Sequence, residues 1–251
     1  KKAEISTRLK EGDEITLPES VKLTPKETKR GEGFISPERL REFTERIIYD
    51  CEDFMVINKP SGLATQGGSK IKICVDEYLY HINPEYRLVH RLDKETSGVL
   101  IVAKSRFAAS KLAKDFETRK INKTYIAVVQ GVPLAKEGMI EAKLAKQSFS
   151  DSGGVCFISE DGKESKTSYK VLEETKDYAK LEVNIETGRM HQIRVHLASI
   201  GCLIVGDIKY GDVSSALASK IAPKMLLHAY KVEYEGNTFV AELPDYFTLN
   251  E

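Results

Sequence analysis

The sequence predicts an α+β domain with a mixed, largely antiparallel sheet and flanking helices. Strand-like runs follow one another across short turns, as in "RIIYDCEDFMVINK" and "KTSYKVLEETKDYAKLEVNIE". Helical spacing of apolar residues is confined to a few segments, and the regular strand–helix alternation of a doubly wound fold is missing. With 251 residues, 41% of them hydrophobic, the chain is long and apolar enough to bury a full core.

The opening "RLKEGDEITLP" reads as a turn and one short strand, so residues 1–20 are expected to be the C-terminal remnant of a small module whose remainder lies upstream. A polar stretch with Pro25, Gly31 and Gly33 follows, and residues 21–35 are expected to be a linker. The chain has no initial Met, which reads as a fragment. The main domain is expected over 36–251. It opens with Ser36 as N-cap and Pro37 at the first helical position of a short helix, followed by two strands joined by the acidic turn "DCED". "CVDEYLYHI" and "SRFAASKLAKDFETRK" carry helical spacing, whereas "KTYIAVVQG", "KTSYKVLEE", "YAKLEVNIE" and "FVAEL" favour strands. A further helix is expected in "GRMHQIRVHLASIG", with Arg189 at its opening.

Thirty-eight basic and 38 acidic side chains cancel, so net charge neither supports nor excludes a nucleic-acid partner, which requires only a local basic surface. Cys51, Cys74, Cys156 and Cys202 form no CxxC pair, which argues against a zinc site or a disulfide framework and fits a reducing cytoplasm. No apolar run approaches a membrane span, and no dinucleotide or triphosphate loop is present, so any reaction is expected to run on side chains without a cofactor.

"LVHRLDKETSGVLIVAKS" sets His90, Arg91 and Asp93 in a loop between strand-like runs. A structural ion pair, a phosphate grip or a catalytic site would each account for it, and on this stretch alone the structural reading is favoured. The protein-kinase "HRD" loop is a poor comparison, because the carboxylate comes one place late and the accompanying motifs are missing. His191 and His196 lie five apart, about 140° around a helix, which suits packing or hydrogen bonding better than joint metal ligation. Arg194, one turn from His191, could carry a guanidinium to Asp93, although a solvated helix face is the plainer reading of that position alone. "INKPSGLATQGG", "INKTYIAVVQG" with Tyr125, and "IVGDIKYG" add polar, glycine-flanked turns and one aromatic hydroxyl that could share a cleft.

In this order "NKPSGLATQGG", "HRLDKETSGVLIVAK", "KTYIAVVQG", "TGRMHQIRVHLASIGCLIVGDIKYG" and "LLHAY" resemble the motif set of the RluA-type pseudouridine synthases over residues 46–244. The wording is most similar to the branch acting on large-subunit ribosomal RNA, and "RLKEGDEITLP" resembles the end of that branch's small RNA-binding module. Cys202 and Leu203 stand where a proline-containing turn is common in the family. The resemblance implies the pseudouridine synthase fold with a central active-site cleft and a cofactor-free isomerisation of uridine in RNA, and the enzyme is expected to be cytoplasmic and monomeric. It assigns Asp93 as the carboxylate acting at the ribose, as nucleophile or as base, with Arg194 as its counter-charge and Tyr125 stacking on uracil or moving a proton. It sets Arg91 to fill the space of a flipped nucleotide, His90 to support the loop, and Arg189 and Lys59 at the RNA. The alternative is an RNA-binding module of the same fold without activity.

Overall fold

The computed structural model describes residues 31, 33–67, 71, 73–147, 154–211 and 224–247, so the expected module at 1–20 and most of the linker lie outside the described residues. In chain order the elements are α1 (Pro37–Thr44), β1 (Ile47–Asp50), β2 (Phe54–Lys59), α2 (Val75–Ile82), β3 (Arg87–Leu88), β4 (Ser97–Ala103), α3 (Arg106–Glu117), β5 (Asn122–Gln130), β6 (Glu137–Gln147), β7 (Val155–Ile158), β8 (Lys163–Glu174), β9 (Tyr178–Ile185), α4 (Gln192–Ser199), β10 (Leu203–Ile204), β11 (Leu227–Tyr234) and β12 (Asn237–Val240). The start signal read from sequence acts as expected, Ser36 accepting from the Arg39 amide, and the structure adds Ser105, which caps α3 by accepting from the Ala108 amide.

One mixed sheet runs β1-β2-β4-β11-β5-β9-β8-β6-β7, with β3, β10 and β12 attached at its sides. Its pairings are antiparallel except β4 with β11, which lie parallel through Ser97–His228 and Gly98–Ala229. Leu100 and Val102 of β4 pack with Val75 and Leu79 of α2 on one face, while Ala127, Leu181 and Val183 meet Ile193 and Leu197 of α4 farther along the same face. The opposite face of β4, with Val99 and Ile101, is covered by Ala108 and Leu112 of α3. Period-two alternation thus buries both faces of the central strands, and the gap between α2 and α4 on one face is where a cleft can open.

Three features depart from the sequence expectation. Strands β6 and β7 were not anticipated, because β6 carries "EGMIEAKLAKQ" with little more than Ile140 and Leu144 buried and is held by pairing with β8 and β7. Strand β11 was not anticipated either. His228 breaks its apolar pattern, yet the ring is fully buried, accepting from or donating to Ser97 at 2.8 Å and bonded to the Ala241 carbonyl at 2.9 Å. Helix α4 begins at Gln192, so Arg189 precedes it and His191 is its N-cap in the left-handed region at φ 54°.

The last residues of the expected linker are docked. Glu77 of α2, buried, accepts the amides of Gly31 at 3.0 Å and Gly33 at 2.8 Å, and Ile35 joins the core beside it. Among the described residues no helix is long and apolar enough to cross a membrane.

Candidate active site

Asp93 sits in the loop that joins β3 to β4, and the loop is fixed from behind. Thr65 donates to the Leu92 carbonyl at 2.6 Å and accepts its amide at 3.2 Å, the Gly62 amide donates to the Lys94 carbonyl at 2.9 Å, and Ser61 donates to the Glu95 carbonyl at 2.8 Å. The two motifs "NKPSGLAT" and "HRLDKETSG" are therefore two halves of one loop assembly. Its exit into β4 demands Gly98: φ is 108°, and a Cβ there would run into the Ala229 carbonyl of β11. Across the sheet Gly98 and Tyr125 both stand opposite Ala229, so two small residues leave room beside the tyrosine.

Lys59 corrects the sequence expectation. It was placed at the RNA, but its side chain is 0% exposed, and Nζ donates to the carbonyls of Leu63 at 2.7 Å, Pro60 at 2.9 Å and Lys94 at 3.1 Å. It is a pin for the Asp93 loop rather than a surface contact. Burial draws its pKa down to about 7, with Glu95 and Asp93 opposing. Three carbonyl acceptors match the three protons of an ammonium, whereas a neutral amine could serve two, so the bonding favours the charged form.

Arg194, projecting from α4, is 5% exposed and reaches Asp93 as the sequence suggested, Nη1 to Oδ2 at 3.0 Å. Its stronger tie is to a residue sequence reasoning passed over. Nε and Nη2 form a fork on the two oxygens of Asp207, each at 2.7 Å. Asp207 also accepts the amides of Lys209 and Tyr210, at 2.9 and 3.2 Å, in the turn after β10. Burial pulls the Asp207 carboxyl upward, but the hydrogen bonds and charge of Arg194 outweigh it and hold the group below its ordinary value. Burial likewise opposes the Arg194 charge and is outweighed by Asp207, so the guanidinium is held above its ordinary value. The signal available in sequence was "VGDIKYG": an aspartate between a glycine and a tight turn can meet a buried arginine, which needs more than one carboxylate to occupy its five donors.

His191 was read as a packing or hydrogen-bonding residue. Its left-handed backbone turns it toward Asp93, Nε2 to Oδ2 at 3.7 Å, while Nδ1 meets the Tyr210 hydroxyl at 2.7 Å. The Arg194 guanidinium lies 5.0 Å over the Tyr210 ring. His196, by contrast, is buried away from the site between Ser165 and Thr167, both at 2.9 Å. Gln192 holds the start of α4 in place, donating to Lys166 and Thr167 and accepting from Thr187 and the Arg189 amide.

These side chains line a cavity of about 800 Å³ that contains Asp93, Tyr125, Arg194 and His191 with Arg91, Arg119, Lys123, Lys146 and Arg189. Tyr125, 7% exposed, has its hydroxyl pKa raised by burial and by the Asp93 charge, so it stays a neutral phenol. No hydrogen bond reaches that hydroxyl from any described residue. Arg91 is exposed at the mouth, as is Arg189, whose Nε donates to the Glu164 carbonyl at 3.3 Å. His90 supports the loop. Its Nε2 accepts the Ile101 amide at 2.8 Å, its ring lies 4.5 Å from Phe116, and burial with the nearby Lys123 charge lowers its pKa to about 3. Chemically, the centre offers a carboxylate with one oxygen held by a guanidinium, a neutral phenol and a basic rim.

Residues 53–199 match the family described as RNA pseudouridylate synthase. The chain is 38% identical to the ribosomal large subunit pseudouridine synthase C of Rickettsia felis, over 98% of this chain and 84% of that protein. Against the protein of the same description from Haemophilus ducreyi it is 34% identical, over 91% and 72%. Among solved structures it superposes on human RNA pseudouridylate synthase domain containing 4 with a TM-score of 0.69 at 27% identity, covering 83% of this chain and 92% of that one. Human RNA pseudouridylate synthase domain containing 1 gives 0.66 at 29%, covering 80% and 84%.

Proposed function

The chain belongs to the RNA pseudouridylate synthase family of RluA type, and from that premise we propose that it isomerises uridines of large-subunit ribosomal RNA with Asp93 as the reacting carboxylate. The observation that carries the reading is the position of Asp93: Oδ2 is tied to Arg194, and Asp93 lies in one cavity with the Tyr125 hydroxyl. Breaking the bond between uracil nitrogen and ribose requires an ionised carboxylate at the sugar, acting on the anomeric carbon or on the neighbouring proton. Arg194 sets its positive charge against that group inside the cleft, and Asp207 in turn holds Arg194 in register.

The uracil, once detached, must turn and rejoin through carbon, and the displaced carbon-bound proton must leave. Tyr125 stands where its ring can lie against the base and its neutral hydroxyl can take part in that proton movement. A stacked nucleotide cannot reach a buried carboxylate, so it must leave the helix, and Arg91 at the mouth has the planar, charged shape to occupy its place. Arg119, Lys123, Lys146 and Arg189 supply local positive charge to a chain of zero net charge. Large-subunit ribosomal RNA as substrate is supported by the relatives that carry that description. A cytoplasmic, monomeric enzyme accords with this reading.

The test is to incubate the protein with large-subunit RNA carrying tritium at uracil carbon 5, and to map pseudouridine afterwards. Tritium release at a few discrete positions of that RNA is expected. Release from transfer RNA but none from ribosomal RNA would overturn the substrate assignment, and binding without release from any RNA would overturn the enzymatic one.

A further inference from the structure

We propose that His191, oriented by Tyr210, is a second positioning residue for Asp93: its Nε2–H and the Arg194 guanidinium address the same oxygen, so that the opposite oxygen is the one presented to the ribose. This rests on the reading of Asp93 as the reacting carboxylate.

The tautomer follows from the hydrogen bonds. The Cys156 amide can only donate, and it donates to the Tyr210 oxygen at 2.7 Å. The Tyr210 proton is thereby left to point at His191 Nδ1, 2.7 Å away, which puts the imidazole proton on Nε2. The other tautomer would set a bare Nε2 lone pair against a carboxylate oxygen at 3.7 Å. That separation is an electrostatic contact rather than a hydrogen bond, enough to bias carboxylate rotation without competing with Arg194.

The backbone supports the same conclusion. His191 is the N-cap of α4 but its side chain caps nothing, and its φ of 54° is one that side-chain-bearing residues rarely adopt. Strain of this kind is retained where it aims a side chain. Among the described residues the charged groups that act on the ring are Asp93 from the β3–β4 loop, Arg194 on α4, and Asp207 and Lys209 in the turn that also carries Tyr210. Burial lowers the His191 pKa to about 4, Arg194 and Lys209 act in the same direction, and the two aspartates oppose. The ring is thus neutral throughout the neutral range, with its N–H dipole set against the carboxylate oxygen.

The experiment compares His191→Phe, His191→Gln, Tyr210→Phe and the His191→Phe/Tyr210→Phe pair by single-turnover rate against pH at saturating RNA, with RNA affinity measured alongside. His191→Phe is expected to lower the saturated rate about 10- to 100-fold, in the range seen when a supporting partner of a reactive group is removed. It should leave affinity within a few-fold and move the acid limb of the profile to higher pH, because Asp93 loses a donor that favours its charged form. Glutamine, whose amide can donate from nearly the same point, should recover much of the rate and the limb. Tyr210→Phe should shift the limb in the same sense by less, and the pair should be no worse than His191→Phe alone. An unmoved acid limb, glutamine no better than phenylalanine, or losses that multiply in the pair would overturn the proposal. Should His191→Phe not fold, Tyr210→Phe still decides it through the limb. Asp93→Asn run in parallel keeps the two claims apart: turnover by that variant sinks the reading of Asp93, whereas an inactive Asp93→Asn with an unmoved limb in the His191 and Tyr210 variants sinks only this inference.

Discussion

Arg194 divides its donors between two carboxylates of different standing. Asp207, with a side chain 1% exposed, takes the fork, and Asp93, at 19%, takes the remaining end. Arg194→Ala should therefore abolish turnover and also destabilise the fold by about 3–5 kcal/mol, chiefly through the buried Asp207 left without a partner. Denaturant unfolding would read that loss, and full activity with unchanged stability would contradict the pairing. Tyr125→Phe keeps the ring and removes the hydroxyl, so RNA should bind normally while product formation stalls. A normal single-turnover rate would reduce Tyr125 to a packing role. At this scale the grouping of Asp93, Tyr125 and Arg194 in one cavity was legible through the family resemblance of the motifs that carry them. Asp207, His191 and Tyr210 were not, since a turn aspartate, a helix-start histidine and a turn tyrosine acquire meaning only when distant segments meet around Arg194. Lys59 was misread because sequence does not say whether an ammonium faces solvent or three carbonyls.

The loop pair 59–65 and 92–96 is the element that holds Asp93 in place. Lys59→Met retains the stem and removes the ammonium, leaving three carbonyls without their donor. The saturated rate should fall along with stability while RNA affinity stays near that of the parent, as rate, affinity and melting measurements on one preparation can check. Gly98→Ala should cost roughly 2–5 kcal/mol, because the side chain would need both a rare φ and the space of the Ala229 carbonyl. Capped helices and strongly alternating strands were readable, since local signals decide them. Strands β6, β7 and β11 were not, because their pairing partners hold them more than their own patterns do.

Taken whole, the molecule inserts β11, from near the end of the chain, between β4 and β5, and so brings the Asp93 loop and Tyr125 to one cleft. The mixed sheet was legible as a class, but this strand order was not, for it depends on non-local pairing. The same packing keeps His90, His191, His196 and His228 neutral, burial lowering all four pKa values, to about 3 for His90 and about 4 for His191. Below the ordinary histidine pKa of about 6.5 the unfolded chain binds more protons than the folded one, so stability should fall as pH drops from there toward 4, by up to about 1.4 kcal/mol per pH unit per histidine. Calorimetry in buffers of different ionisation enthalpy should find net proton uptake on unfolding at pH 5.5, and none at that pH would contradict the neutral assignments. Across the cleft, recognition by a basic rim and reaction at one carboxylate are separable, and Asp93→Asn separates them most directly. With tritiated ribosomal RNA, the account predicts binding within a few-fold of the parent and no tritium release even in a single turnover. Sustained release by the purified variant would contradict it.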